Sequence, residues 1–145
     1  MTTPDVSFEY FVEEDVALRD PDTYLGSSPL AMVRQFANVY GQNLDHAWVR
    51  GSDKDLLRLS LVTEEADEVA QAETAENLLK ELADLVYVSY GYAATFGWDL
   101  DEAVRRVHAS NMSKLGKDGR PIYRDDGKVL KGPNYEPPHL EDLVK

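Results

Sequence analysis

Apolar residues recur every three to four positions through the middle of the chain, which is the period of an amphipathic helix. The segment SSPLAMVRQFANVYGQ places Ser28 at an N-cap, a proline directly after it and Gly41 as a stop. These signals predict a first helix of about three turns. A second helix is predicted from Ser52 to about Gln71, because Asp55 lies three residues after Ser52 in a pattern similar to a capping box.

Two more helices are predicted before the pattern changes. Thr74 can cap a third helix that runs to Gly97, and Asp99, with Glu102 three residues later, starts a fourth that reaches about Ser113. Beyond it, the Asp-Gly pairs of KDGR and RDDGK and the prolines of GPNYEPPH predict turns and irregular chain with short hairpin pieces. The pattern therefore predicts an all-α fold, a four-helix bundle followed by an irregular arm.

Length and composition limit what such a chain can be. The 145 residues suit one domain, which we divide into an N-terminal extension (1–27), a helical domain (28–113) and a C-terminal basic arm or lid (114–145). No apolar run approaches a membrane span, and the first residues do not form a secretory signal, so we expect no membrane partner. The absence of cysteine excludes disulfides and thiolate metal sites, and a cytoplasmic location is expected.

The charge is unevenly distributed along the sequence. A formal net charge of -12 argues against nucleic-acid polymers as partners, because such proteins cluster Lys and Arg against phosphates. Nine of the 15 basic residues nevertheless fall in residues 105–145. The chain therefore has an acidic middle and a locally basic tail.

The acidic middle contains two carboxylate pairs at helical spacing. Glu65 with Glu68, and Glu81 with Asp84, are each three residues apart and share a helix face, and Glu64 adds a neighbour. If the second and third helices form an antiparallel hairpin, both pairs lie at matching heights, about 10 Å from the turn. Four carboxylates would then converge, and an all-oxygen set suits Mg²⁺ or Mn²⁺ better than zinc.

Acidic residues at this spacing most often form a solvated face. That interpretation weakens for the third helix, where Glu81 and Asp84 are interleaved with apolar residues and little polar face remains. Charges in such a helix need a paired group or a cation.

The sequence EEADE, twelve residues and then ELAD is similar to the EExxE and ExxD signature of the MazG-like all-α nucleoside triphosphate pyrophosphohydrolases. That superfamily includes phosphoribosyl-ATP pyrophosphohydrolases and dimeric dUTPases. The resemblance covers about residues 29–135, and the continuation after ELAD looks like compact dUTPase-type and phage-type members.

The resemblance implies cleavage of a (deoxy)nucleoside triphosphate to the monophosphate and pyrophosphate, with Mg²⁺ or Mn²⁺, in nucleotide-pool housecleaning. Carried over by position, the metal ligands are Glu65, Glu68, Glu81 and Asp84. The catalytic residues are Glu65 and Glu64, with Glu64 orienting or deprotonating the attacking water.

Substrate-binding residues are also implied. The resemblance marks Asn111 and Lys114 as phosphate or sugar contacts, and their spacing of three places them on one helix face. Basic residues of the arm are expected to fold over the outer phosphates, and residues of the first and third helices to line a nucleobase pocket. These are Arg120, Lys128 and Lys131 for the arm, and Gln35, Phe36, Asn38 and Tyr87 for the pocket.

Two alternatives stay open beside this leading interpretation. One is a phosphoribosyl-ATP pyrophosphohydrolase, ranked lower because the tail looks more like phage-type and dUTPase-type members. The other is a non-enzymatic helical interaction protein whose acidic face holds a cation. The third helix is apolar nearly all round from Leu82 to Trp98, which predicts a homodimer or a dimer of dimers.

Overall fold

The structure, a computed structural model, describes residues 26–144. It contains four α-helices: α1 (Pro29–Val39), α2 (Asp53–Gln71), α3 (Ala75–Thr95) and α4 (Leu100–Met112), followed by a 3-10 helix at Glu141–Val144. Within that range the only β pairing is an isolated antiparallel bridge between Tyr123 and Val129. The predicted all-α fold is confirmed, while the predicted extension lies, up to residue 25, outside the described residues.

Each helix begins at the residue that the sequence marks as its N-cap. The cap side chains accept a hydrogen bond from the backbone amide three residues later, at 3.0–3.3 Å, in all four cases: Ser28, Ser52, Thr74 and Asp99. These bonds satisfy amides that have no partner inside the helix. The reciprocal half of the predicted capping box is absent at Ser52, whose amide donates to the Val49 carbonyl at 3.1 Å.

The apolar core lies at one end of the helices. Helices α2 and α3 form the hairpin with the most extensive contact, and α1 packs mainly on α3. The core cluster consists of Val33 from α1 and Tyr90 and Ala94 from α3. Every fully buried residue of α3 lies between Tyr90 and Thr95. The half of α3 that carries the acidic residues is therefore outside this core.

The arm after α4 folds back and is anchored to that helix. The Arg106 guanidinium donates to both carboxylate oxygens of Asp142, at 2.6 and 3.0 Å. The Gly132 amide donates to the Lys114 carbonyl at 2.9 Å, and a Cβ at position 132 would lie 2.0 Å from the Leu115 carbonyl oxygen. Only glycine permits so close an approach of two backbone segments. None of the helices in residues 26–144 has the length and apolar character needed to cross a membrane.

Asp55, in the first turn of α2, is a buried carboxylate that joins three parts of the fold. Its side chain is 1% exposed and accepts hydrogen bonds from Trp48 Nε1 and the Gly51 amide, both at 2.8 Å, and from the Tyr92 hydroxyl. The Tyr92 bond, followed by those from Gly51 and Trp48, holds the pKa of Asp55 below its ordinary value. The ionised carboxylate thus fixes the loop before α2 against α3.

Asp55→Asn is expected to lower the free energy of unfolding, because the amide offers one acceptor and brings an NH₂ group towards three donors. The pKa of Asp55 is lower in the folded than in the unfolded protein, so its ionised form stabilises the fold. This stability is fully present above the unfolded pKa of about 3.9 and is lost as the pH falls through the folded pKa. Urea unfolding should therefore show a difference in the free energy of unfolding between wild type and Asp55→Asn. This difference should be largest at neutral pH and should become smaller in acid.

The matched control is Asp53→Asn, an exposed residue of the same helical turn, which removes only a helix-dipole contribution of about 0.3–1 kcal/mol. Two results would contradict a stabilising role for the Asp55 carboxylate. One is a loss of unfolding free energy in Asp55→Asn that is no larger than in Asp53→Asn, and the other is a loss that stays the same in acid.

Candidate metal and nucleotide site

Three predicted metal ligands meet on the α2–α3 hairpin. Glu65 and Glu68 of α2 and Glu81 of α3 each offer a carboxylate oxygen, and these atoms lie within 4.8 Å of one another. We call these residues the carboxylate cluster. Glu65 is partly buried, Glu81 has a side chain 15% exposed, and Glu68 is exposed. The predicted antiparallel hairpin brings the two helices into register at this point.

The carboxylate cluster is electrostatically unfavourable without positive charge. Glu65 Oε2 is buried and accepts no hydrogen bond from any residue in 26–144. The pKa of Glu68 is raised, chiefly by its hydrogen bond with Glu81, then by burial and by the charge of Glu65. Two carboxylates can share a hydrogen bond only if one of them holds a proton. An all-oxygen donor set with an unsatisfied buried oxygen fits a hard divalent cation such as Mg²⁺ or Mn²⁺.

Asp84, the fourth predicted ligand, lies outside the carboxylate cluster. Its carboxylate is 2.8 Å from Lys80 Nζ, one helical turn earlier on α3, and the same ammonium lies 3.2 Å from Glu81. The pKa of Lys80 is raised, first by Asp84 and then by Glu81. The Lys80 and Asp84 side chains are 63% and 40% exposed, so this ion pair is weak and its rearrangement costs little.

Glu64, predicted to orient or deprotonate water, points to a neighbouring face of α2. Together with Glu68 it lines an open depression of about 660 Å³ along that helix. Glu68 therefore belongs both to the carboxylate cluster and to the surface that carries Glu64.

The predicted nucleobase residues are brought together in part. Phe36 and Tyr87 meet edge to face, with ring centroids 5.9 Å apart, and Tyr40 lies 4.4 Å from Phe36. Burial, followed by the neighbouring Tyr40, raises the pKa of Tyr87 above its ordinary value. Gln35 is partly buried and Asn38 is exposed. Phe36 and Tyr87 are 39% and 40% exposed, so both residues remain accessible from the surface.

The predicted phosphate-binding residues divide into two groups. Asn111 is exposed at the end of α4, and Lys114 is partly buried, with its amide donating to the Asn111 carbonyl at 3.2 Å. The others belong to the arm: Arg120 and Lys128 are exposed there, and Lys131 Nζ lies 4.5 Å from the centre of the Tyr135 ring. The Lys131 ammonium already has a cation–π partner, whereas Lys114 is held near the helix by its backbone.

Sequence reasoning missed two charged residues beside this site, Lys80 and Arg58. Arg58 of α2 lies against the backbone of Gly91 in α3. A glycine inside an otherwise well-formed helix is a sequence signal for close approach by another group, and Gly91 is such a residue. Lys80 had a signal as well, because it is four residues before Asp84.

The fold and the carboxylate cluster define an all-helical protein with a candidate divalent-cation site on a helical hairpin. The family described as phosphoribosyl-ATP pyrophosphohydrolase matches residues 36–111, more than half of the chain and all of the carboxylate cluster. The chain belongs to this family. The MazG-like resemblance is thereby confirmed at the level of the superfamily, while the dUTPase-type subtype stays a prediction.

One curated relative points in the same direction. The chain is 33% identical over 93 residues to the histidine biosynthesis trifunctional protein of Komagataella pastoris. The alignment covers 64% of this chain and 10% of the relative, so the chain matches about a tenth of the length of that protein.

Glu68→Gln is expected to raise the melting temperature of the metal-free protein, because it removes one of three mutually repelling carboxylates. Wild type should gain stability with added Mn²⁺, by about 2.7 kcal/mol when the free ion is about 100 times its dissociation constant. The variant should lose most of that gain. Thermal unfolding with and without Mn²⁺ measures both effects.

Asp67→Asn is the matched control, since Asp67 is an exposed acid of the same helix outside the carboxylate cluster. Asp67→Asn should keep the gain in stability that Mn²⁺ gives to wild type. If it lost this gain as fully as Glu68→Gln, the ion would be attracted by the overall negative charge of α2 and not bound by the carboxylate cluster.

Proposed function

We propose that this protein is a phosphoribosyl-ATP pyrophosphohydrolase, which releases pyrophosphate from the triphosphate of its substrate in a divalent-cation-dependent reaction. The observation that carries the proposal is the carboxylate cluster inside the family-matched segment, with oxygens of Glu65, Glu68 and Glu81 within 4.8 Å of one another. Sequence reasoning ranked this activity below a broader nucleoside triphosphate pyrophosphohydrolase. The family and the name of the Komagataella relative favour it.

The carboxylates are the residues that would hold Mg²⁺ or Mn²⁺. Glu65, Glu68 and Glu81 form the set that is already assembled, and Asp84 can join it by leaving its exposed pair with Lys80. The bound cation would polarise phosphoryl oxygens and lower the pKa of a coordinated water. Glu64 shares the depression on α2 with Glu68, and we keep it as the residue that orients or deprotonates the attacking water.

The charge balance explains why a cation is needed. A triphosphate brings about four negative charges towards carboxylates that already repel one another. Two lysines of this chain can offset only part of that charge: Lys80 beside the carboxylate cluster and Lys114 at the end of α4. Asn111, which is uncharged, is a further proposed contact to phosphate or sugar. Phe36 and Tyr87 supply an apolar, partly open surface for the adenine.

Wild type with Mg²⁺ is expected to release pyrophosphate from phosphoribosyl-ATP with a kcat/KM at least about tenfold above those for ATP and dUTP. Glu81→Gln should reduce the rate with every substrate to background, because an incomplete ligand set binds the cation poorly. Coupled pyrophosphate detection on this panel makes the measurement.

Glu76→Gln, in the first turn of the same helix and exposed, is the control that should keep wild-type rates. Preference for dUTP would replace the proposal with the dUTPase-type activity. If the protein binds Mn²⁺ but releases no pyrophosphate from any substrate, the result would favour the alternative of a non-enzymatic cation-binding protein.

We also propose that the functional unit is a homodimer or a dimer of dimers. Leucines and a valine of the α2–α3 hairpin are exposed, among them Leu79 at 71% and Leu57 at 57%; the others are Leu56, Leu59, Leu78, Leu82 and Val86. An apolar surface of this extent on two adjoining helices is typical of a face that packs against another protein. A second copy is the simplest closed partner.

Light scattering at micromolar concentration is expected to show at least a dimer for wild type, and Leu79→Lys should shift the protein towards monomer because it places a charge on that face. Asn77→Lys adds the same charge on a different face of α3 and should leave the assembly unchanged. A fully active wild-type monomer would overturn this proposal.

A further inference from the structure

Arg58 is a partly buried arginine that has no carboxylate partner within residues 26–144. It forms no ion pair with any acidic residue in 26–144, and its closest polar contact is a long one, 3.5 Å from Nη2 to Gln42 Oε1. Its Nε is buried and has no hydrogen-bond partner among the same residues. Burial alone lowers the pKa of Arg58, with no carboxylate acting in the opposite direction. Positive charge in such a position is costly unless an anion is bound.

The fold makes space for this guanidinium. A Cβ built on Gly91 of α3 would lie 3.2 Å from Arg58 Nη1 and 4.0 Å from a methyl group of Val33 on α1. Any larger residue at position 91 would displace the guanidinium. The arginine therefore lies in a notch where α1, α2 and α3 meet, and its Nη1 lies next to the backbone of Gly91, which has no side chain.

The notch is aligned with the rest of the candidate site. On α2, Arg58 precedes Glu65 by seven residues, two helical turns, so both lie on one face about 10 Å apart along the axis. On α3, Asp84, Tyr87 and Gly91 follow Glu81 at steps of three or four residues, so each member of this series lies next to the one before it on the helix surface. The order along the hairpin is Arg58, with which no carboxylate of residues 26–144 pairs, then Tyr87 with Phe36 of α1 beside it, then the carboxylate cluster.

We propose that Arg58 binds the sugar phosphate of the substrate, the single phosphate on the phosphoribosyl group at the end opposite the triphosphate. This inference rests on the proposed function. Phosphoribosyl-ATP has two phosphate-bearing ends with adenine between them, in the same order as the features along the hairpin. Neither ATP nor dUTP has a second anionic end, so Arg58 would be the residue that distinguishes the larger substrate from ordinary nucleotides.

The guanidinium suits this role chemically. It keeps its charge even when partly buried and presents several N–H donors in one plane, which matches the oxygens of a phosphate monoester. A bound phosphate would accept a hydrogen bond from Arg58 Nε and would also balance the positive charge of the guanidinium. No bond is made or broken at this subsite, so Arg58 acts on substrate affinity and orientation.

The first test is the ratio of kcat/KM for phosphoribosyl-ATP to that for ATP. Arg58→Gln is expected to lower this ratio about 10- to 100-fold, as expected for loss of hydrogen bonds to a charged group, and mainly through KM. Gly91→Ala, which displaces the guanidinium by a few tenths of an ångström, should lower the ratio less. Arg105→Gln removes the same charge from an exposed arginine of α4 and should leave the ratio unchanged.

The second test needs no turnover. Calorimetry with ribose 5-phosphate should show binding to wild type and at least about tenfold weaker binding to Arg58→Gln. Equal binding to both, or an unchanged substrate ratio in the folded variant, would overturn the assignment and leave Arg58 as a structural residue. If wild type does not hydrolyse phosphoribosyl-ATP yet binds ribose 5-phosphate through Arg58, the proposed function fails while the sugar-phosphate site stands.

Discussion

Repulsion among three carboxylates on the α2–α3 hairpin is the constraint on which the rest of the site depends. Glu65, Glu68 and Glu81 come within 4.8 Å because two long helices pack in antiparallel register. The raised pKa of Glu68 and the unsatisfied oxygen of Glu65 are the signs that this arrangement is unfavourable by itself. Such a cluster needs a fold that is stabilised elsewhere, and the divalent cation that we propose would compensate its charge on binding.

The fold supplies that stability at the other end of the helices. The core around Val33, Tyr90 and Ala94, and the hydrogen bonds to buried Asp55, lie beyond the acidic half of α3. The site is therefore built on well-packed helices but not within their core, and it stays accessible to the large, charged substrate that we propose. Lys80 and Arg58 place positive charge at two levels of the same hairpin, one beside the carboxylate cluster and one about 10 Å away along α2.

Local signals predicted much of this arrangement. N-caps and helix lengths follow from short-range chemistry. The sequence therefore identified the start of each α-helix in residues 26–144, at Ser28, Ser52, Thr74 and Asp99. The hairpin followed from two helices joined by a short turn, and with it the meeting of Glu68 and Glu81. The same local reasoning placed Asp55 in a capping box, whereas its carboxylate accepts from Tyr92, 37 residues away.

Two features were not predicted from the sequence, the notch that holds Arg58 and the ion pair of Asp84 with Lys80. The first depends on a contact between residues far apart in the sequence, and the second on competition among near neighbours. The notch for Arg58 exists only because Gly91 comes to the same height on α3, 33 residues later in the sequence. Asp84 has the right spacing for a ligand, yet Lys80 is equally well placed on the same helix and takes its carboxylate. Spacing identifies which groups can meet, while the balance of charges decides which of them do.

Anomalous diffraction from crystals grown with Mn²⁺ and a nucleotide that resists hydrolysis would test the metal centre most directly. We expect a manganese peak bonded to oxygens of Glu65, Glu68 and Glu81, at about 2.1–2.3 Å. Asp84 should have turned from Lys80 towards the ion or a second one. Manganese peaks elsewhere on the acidic surface, with none at the carboxylate cluster, would show that this hairpin is not a metal centre.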